Sequence, residues 1–250
     1  MKITNQKLLT LAKEFTLLCL DTETTGLDCC QCKIIDLGVA TIEDDGNIKE
    51  CINSLIKLKN GELLTEEITN LTHITNEMLV NDGKDRLDVQ NEFKNLIANS
   101  KKPVLILAYN TQFDAGFIQN FVDLSDVKNL HWFDIMTMYK ENFAYPHKLT
   151  NAIDTYKLND IVVNSHRAYD DTVACLKVLE KMMDDDSRTL DDFYEHIDVF
   201  GYNAKWGVPK EQIYAFYGNK KCNVNYTPQG LKGGDKVNNR SYLIKKGYAQ

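Results

Sequence analysis

The sequence predicts an α/β protein: a mixed sheet, its first three strands antiparallel, flanked by helices. Three observations carry this expectation. Three β-rich runs open the chain, and Asp44-Asp45-Gly46 between the second and third is a hairpin turn signal. Helical patterning takes over from about residue 65. A later apolar run, Pro103–Tyr109 (PVLILAY), then reads as a strand buried on both faces. The order β-β-β-α-β-α-α stacks into layers around one sheet.

The first run, Thr16–Asp21 (TLLCLD), ends just before a turn signal at Thr24-Thr25-Gly26. Lys33–Glu43 and Asn47–Leu58 are the two strands of the hairpin. Thr65–Leu71 and Thr75–Val80 are short helices, each opened by Thr with Glu close behind. Leu87–Ala98 carries a helical stripe at Val89, Phe93, Leu96 and Ile97. Thr111–Val122 and Leu149–Tyr156 follow as helices, and His166–Met183 presents Val173, Leu176, Leu179 and Met183 on one face. Clustered like charges do not pack, so Asp184-Asp185-Asp186-Ser187 predicts a domain edge. The expected division is residues 1–183 and a C-terminal extension, 184–250. Within the extension, Asp191–Phe200 and part of Trp206–Gly218 read as helices.

Composition excludes several classes. With 250 residues and 43% apolar content, the chain is long and apolar enough to bury a sizeable core, which argues against disorder. The N-terminal MKITNQKLLTLAKEF lacks an apolar secretory core, and no apolar run is long enough to span a membrane. A cytoplasmic protein is expected. Seven cysteines without regular spacing make a poor disulfide framework. Cys29, Cys30 and Cys32 invite a zinc site, but zinc wants paired ligands and no second pair lies nearby; a reduced surface loop is the expectation.

Charge is unevenly spread. Residues 201–250 hold nine Lys/Arg and two acids, a net of +7, leaving −14 for residues 1–200 of a chain whose total is −7. Eight aromatic residues interleave those basic ones. Such a tail suits single-strand nucleic acid, docking on a replication protein, or packing against the body with its lysines solvated.

Four acids stand at element ends. Asp21 and Glu23 flank Thr22 at the end of the first strand, and residues i and i+2 of a strand share a face. Asp114 follows the PVLILAY strand, and Asp171 lies near the start of a long helix. Taken singly, each has an ordinary reading, such as a first-turn acid favoured by the helix dipole. His166 and Asp171 are five residues apart, roughly 140° around a helix, so they share no helical face. His166 is therefore expected on the loop before the helix.

Together these residues carry a resemblance. LDTETTGL at 20–27, YNTQFDAGFI at 109–118 and HRAYDDTVACLKVL at 166–179 resemble the three motifs of the DEDDh exonuclease family. Asp21 and Glu23 match D-x-E, Asn110 and Asp114 match N-x3-D, and His166 and Asp171 match H-x4-D. ITNLTHITNEML at 68–79 is similar to the family's stretch that lines the terminal-nucleotide site. FDIMTMYKENF, followed by HKLTNAIDTYKL, resembles its segment before motif three. Tyr109 stands where His is frequent, and His73 where Gly is usual. Asp170 neighbours Asp171, and the spacing selects Asp171.

The resemblance implies a ribonuclease-H-like fold and a 3′→5′ exonuclease acting on single-stranded or frayed DNA. Proofreading or repair is the natural context, with a replicative polymerase as a possible partner. RNA is the alternative substrate, and an inactive docking module is the reading from another class. Asp21, Glu23, Asp114 and Asp171 are the expected metal ligands, and hard oxygen donors suit two Mg²⁺ or Mn²⁺ ions. His166 is the expected general base, since imidazole titrates near neutrality. The resemblance further assigns Thr24 and Thr25 backbone contacts to the terminal nucleotide and makes Leu27 a wedge between bases. Phe113 and Ile74 are expected to pack on the terminal base. Asn110 is grouped with these substrate contacts, though holding the motif-two turn is its more natural task.

Overall fold

The computed structural model describes residues 1–59, 61–127, 129–140, 142–185 and 188–198, with two short strand pieces beyond. Helix α1 (Gln6–Glu14) leads into β1 (Thr16–Thr24), β2 (Ile34–Ile42) and β3 (Ile48–Leu55). Helices α2 (Glu66–Thr72), α3 (Asn76–Asn81) and α4 (Arg86–Ala98) precede β4 (Val104–Ala108) and α5 (Thr111–Phe121). Then come β5 (Leu130–Asp134), α6 (Ile135–Lys140), α7 (Leu149–Thr155), α8 (Ala168–Asp185) and α9 (Leu190–Glu195). Farther on, β6 (Ile213–Tyr214) pairs antiparallel with β7 (Lys236–Val237).

The five-stranded sheet runs β3-β2-β1-β4-β5. β1, β2 and β3 pair antiparallel, and β4 and β5 run parallel to β1. This is the expected mixed sheet. Alternation along β1 divides the core: Leu17 and Cys19 face the cluster under α8, while Leu18 and Leu20 face the cluster under α4 and α5. Phe93 and Trp132 are almost wholly buried in the second cluster, and burying a side chain of that size stabilises the fold by about 1.5–3 kcal/mol.

The helix starts follow the sequence. Thr65 and Thr75 cap α2 and α3, each hydroxyl accepting a backbone N–H three residues on. α1, β5 and α6 are additions to the elements expected from sequence. α1 is amphipathic and capped by Asn5, whose side chain accepts the Leu8 N–H at 3.0 Å.

The expected domain edge is corrected. α8 runs to Asp185, and residues 188–198 rejoin the main core. Phe193 is fully buried and stacks on Phe133 with ring centroids 4.2 Å apart. Arg188 is buried and donates to the Met138 carbonyl at 2.8 Å. Asp198 receives the Trp132 N–H at 3.0 Å. The body continues past the acidic run to at least Asp198. The expected helix at Asp191–Phe200 is shorter, ending at Glu195. The basic tail, with the helix expected in Trp206–Gly218, lies outside the described residues except for β6 and β7. No helix among the described residues is long and apolar enough to cross a membrane.

Candidate active site

The site forms where β1 ends. Asp21 lies opposite Gly38 in the β1–β2 pairing, and Glu23 opposite Asp36. Gly38 is what lets α8 approach. A Cβ there would stand 2.4 Å from the Ala168 backbone, and the Thr172 hydroxyl donates to the Gly38 carbonyl at 3.2 Å. That close crossing carries Asp171, in the first turn of α8, over the carboxyl end of β1.

His166 stands outside α8, as its spacing from Asp171 requires. Its φ of 54° places it in the left-handed region, which a non-glycine residue adopts at a cost. Ligand atoms of Glu23, His166 and Asp171 all lie within 4.8 Å of one another. The buried Asp36 carboxylate fixes the two residues after His166. It accepts the Arg167 Nε at 2.7 Å and the Ala168 N–H at 3.3 Å through the same oxygen. The other Asp36 oxygen is buried without a hydrogen-bond donor.

Asp114 is buried in the first turn of α5 and accepts the Thr22 hydroxyl at 2.8 Å. Thr22 thus points to the α5 side of β1, opposite Asp21 and Glu23. Asn110 occupies the α5 N-cap with φ 69°, a left-handed conformation that Asn tolerates well. Asp134, at the end of β5, holds this turn. One oxygen receives the Asn110 and Thr111 N–H groups at 3.0 and 3.3 Å, and the other the Thr137 hydroxyl at 2.6 Å. Tyr109 is also structural, its hydroxyl donating to the His147 carbonyl at 3.0 Å.

The electrostatics are those of a site built for cations. Burial, then the charges of Asp114, Glu23 and Asp171, push the Asp21 carboxyl well above its ordinary range. Glu23 rises to about 8 through burial and then Asp171, Asp36 and Asp114. Burial lifts Asp114 to about 7 against the Thr22 hydrogen bond, and Asp171 to about 7 against the Asn164 amide. Asn164 reaches Asp171 at 2.7 Å. Asp114 and Asp171 raise both Asp21 and Glu23, so bound positive charge stabilises the cluster, and carboxylate oxygens suit a hard divalent cation.

The other expected contact residues divide. Leu27 is 71% exposed beside this edge, and Phe113 is half-buried against Phe117 with ring centroids 4.9 Å apart. Two expectations need correction. Ile74 is fully buried among Ile35, Leu55, Leu64 and Leu79, so it offers no surface to a base. The second concerns Thr25 alone, whose N–H is taken by the Lys33 carbonyl at 2.9 Å; the Thr24 hydroxyl donates to the Gly26 carbonyl at 2.7 Å, which leaves the expected Thr24 backbone contact untouched. Both threonines shape the loop after β1. His73 ends α2 with φ 59°, the conformation a glycine there adopts freely. Asp36, Asp134, Asn164 and Arg167 are not among the residues the sequence singles out. Asp134 and Asp36 did carry a signal, an acid at an otherwise apolar strand position.

The exonuclease family profile RNase_T matches residues 18–179 of this chain. The chain belongs to the DEDDh exonuclease family. This family member is 37% identical over 107 residues to a PolC-type DNA polymerase III of Staphylococcus haemolyticus. The match covers 42% of the chain and 7% of that polymerase, so the chain spans a small part of its curated relatives' length. Two solved structures share the fold. E. coli exonuclease I in complex with a dT13 oligonucleotide superposes with a TM-score of 0.60 at 19% identity, over 73% of this chain and 44% of that one. The nuclease domain of 3′hExo, a DEDDh member bound to rAMP, gives 0.53 at 16% identity, over 68% and 92%. The fold of this exonuclease is the ribonuclease-H-like one.

Proposed function

We propose that this exonuclease is a divalent-metal-dependent 3′→5′ enzyme. It releases nucleoside 5′-monophosphates from single-stranded or frayed DNA, in the service of proofreading or repair inside the cell. The observation that carries the reading is the grouping of Glu23, His166 and Asp171 ligand atoms within 4.8 Å, beside a buried Asp21 whose carboxyl is raised by the charges of Asp114, Glu23 and Asp171. The PolC-type relative supports DNA and a polymerase partner.

Asp21, Glu23, Asp114 and Asp171 would hold two Mg²⁺ or Mn²⁺ ions. Those ions would supply charge neutralisation at the scissile phosphate and Lewis-acid assistance to the attacking water and the leaving 3′ oxygen. A ring nitrogen of His166 takes the proton from that water. A new P–O bond forms to the water oxygen, and the P–O3′ bond breaks. The 3′ oxygen is protonated and stays on the shortened strand. His166 is exposed on its strained loop, so it can give its proton to solvent between turnovers. The likeness to a nuclease bound to rAMP favours RNA as the second reading.

Strands of matched sequence, DNA and RNA, each labelled at the 5′ end, test direction and polymer together. A ladder of labelled products shortening one nucleotide at a time is expected, faster on DNA. Immediate appearance of labelled mononucleotide would reverse the direction, and a faster RNA ladder would reverse the substrate.

A further inference from the structure

The geometry points to a second nucleic-acid contact in this molecule, a basic cleft that holds backbone phosphates of the strand beyond the residue being removed. The inference rests on the exonuclease reading and says how that site takes a polymer. The cleft has a volume of about 520 Å³ and lies between the loop after β1, the end of β3, the start of α4 and the flank of α5. Lys33, Lys57, Lys59 and Arg86 line it, against one lining acid, Asp85. Residues 1–200 carry a net charge of −14, so four cations around one cleft run against the rest of the body.

The cleft is joined to the catalytic edge. β2 runs antiparallel to β1 and β3 antiparallel to β2, so the start of β2 and the end of β3 share an edge of the sheet with the end of β1. Lys33 is tied to Thr25 by two hydrogen bonds, its N–H donating to the hydroxyl at 3.0 Å and its carbonyl accepting the Thr25 N–H at 2.9 Å. α5 connects the same two places, with Asp114 in its first turn and Asn120 on the cleft wall. Six residues of helix span about 9 Å. That is roughly two to three steps of a stacked strand at about 3.4 Å each.

The lining also says what is read. The aromatic rings on the wall, Phe117 and Phe121, are 2% and 3% exposed. They offer no face for a base to stack on. Arg86 lies over Phe121 at 4.6 Å, which holds its guanidinium in place without consuming its charge. Lys33 pairs with Glu62, and Lys57 with Asp85 at 3.8 Å. The Lys57–Asp85 pair is solvent-exposed and Lys33–Glu62 is at the surface with Lys33 half-buried, so a phosphate displaces either acid at modest cost. The cleft therefore grips backbone and ignores sequence.

The test compares the full chain with Lys57→Glu/Lys59→Glu, and with Lys13→Glu/Lys49→Glu as a control of equal charge change at residues outside the cleft lining. The substrates are thymidylate dinucleotide and dodecanucleotide. For the cleft variant, kcat/KM on the dodecamer is expected to fall about tenfold or more, with the dinucleotide unchanged. The slope of log(kcat/KM) against log[salt] on the dodecamer falls by about 0.7 for each phosphate that the variant no longer neutralises. Equal losses on both substrates, or a dodecamer loss matched by the control pair, would overturn the cleft. If the parent chain cleaves neither substrate, the exonuclease reading fails. Anisotropy of a labelled dodecamer then still decides the cleft. Weaker binding in the cleft variant alone supports it, and unchanged binding overturns it.

Discussion

His166 is held by its neighbours more than by its own contacts. Its φ of 54° is unfavourable, and the Asp36 carboxylate clamps the chain directly after it. Arg167→Ala removes the stronger of those two bonds and leaves a fully buried carboxylate with one N–H. Because the arginine side chain is 34% exposed, the stability loss is modest, about 1–2 kcal/mol. Turnover falls further, about 10- to 100-fold as for other residues that orient a reactive group, while KM stays near its parent value. Arg167→Lys restores part of the turnover. Steady-state kinetics beside thermal unfolding check this, and a drop in melting temperature with unchanged turnover would leave the clamp a stability device alone. The same scale shows what a sequence hides. Asp21, Glu23, Asp114 and Asp171 declare themselves by position at element ends. The Asp36–Arg167 pair spans 131 residues and two elements, so no local pattern announces it.

At the scale of elements, the crossing of α8 over β2 decides where Asp171 sits. Gly38→Ala puts a methyl group 2.4 Å from the Ala168 backbone, and backbone cannot rotate aside as a side chain does. A loss of about 3 kcal/mol in unfolding free energy is expected, with activity lost in the remaining folded protein because α8 is displaced. Denaturant unfolding and nuclease assays measure the two effects. Activity retained in a folded Gly38→Ala protein would show that the crossing does not set the site. The first three strands, β4 and most helices are legible because each has a period, a cap or a turn residue. β5 and α6 are not. β5 is five residues with an acid at its end, and α6 begins at the next residue with no capping signal between them. The pairing of β5 with β4 makes it a strand. α1 is hidden because Leu8, Leu11 and Ala12 reveal a buried stripe only once the sheet provides a surface to cover.

For the molecule as a whole, the body extends past the acidic run at 184–187. A chain ending at Met183 loses Phe193, Ile197 and Arg188 from the core, and loss of Phe193 alone is worth about 3–5 kcal/mol. Ending at Asp198 keeps all of them. The shorter form is expected to melt well below the longer one, and equal melting temperatures would restore the edge at 184. Stability also depends on the charge state of the site. Folded-state pKa values of about 7 to 8 at Asp114, Asp171 and Glu23 exceed the ordinary carboxylate range, so the folded chain binds more protons than the unfolded one between about pH 4 and 8. Without divalent ions, stability is therefore greatest at low pH within that window and is lost as pH rises through 7 to 8. Mg²⁺ offsets the loss at high pH and does little at pH 5. Melting curves at several pH values, with EDTA or with Mg²⁺, measure this, and metal-free stability that rises over the window would contradict it. In the proposed reaction the carboxylates act by holding metal ions for hydrolysis at a 3′ end. The most direct test is the rate of mononucleotide release from single-stranded DNA across a Mn²⁺ titration, in the parent chain and in Asp21→Asn. Release is expected to vanish in EDTA, to rise and saturate with Mn²⁺, and to fall about a thousandfold in the variant, since a lost ligand removes several kcal/mol of charge stabilisation. Release that persists in EDTA, or that Asp21→Asn leaves intact, would contradict it.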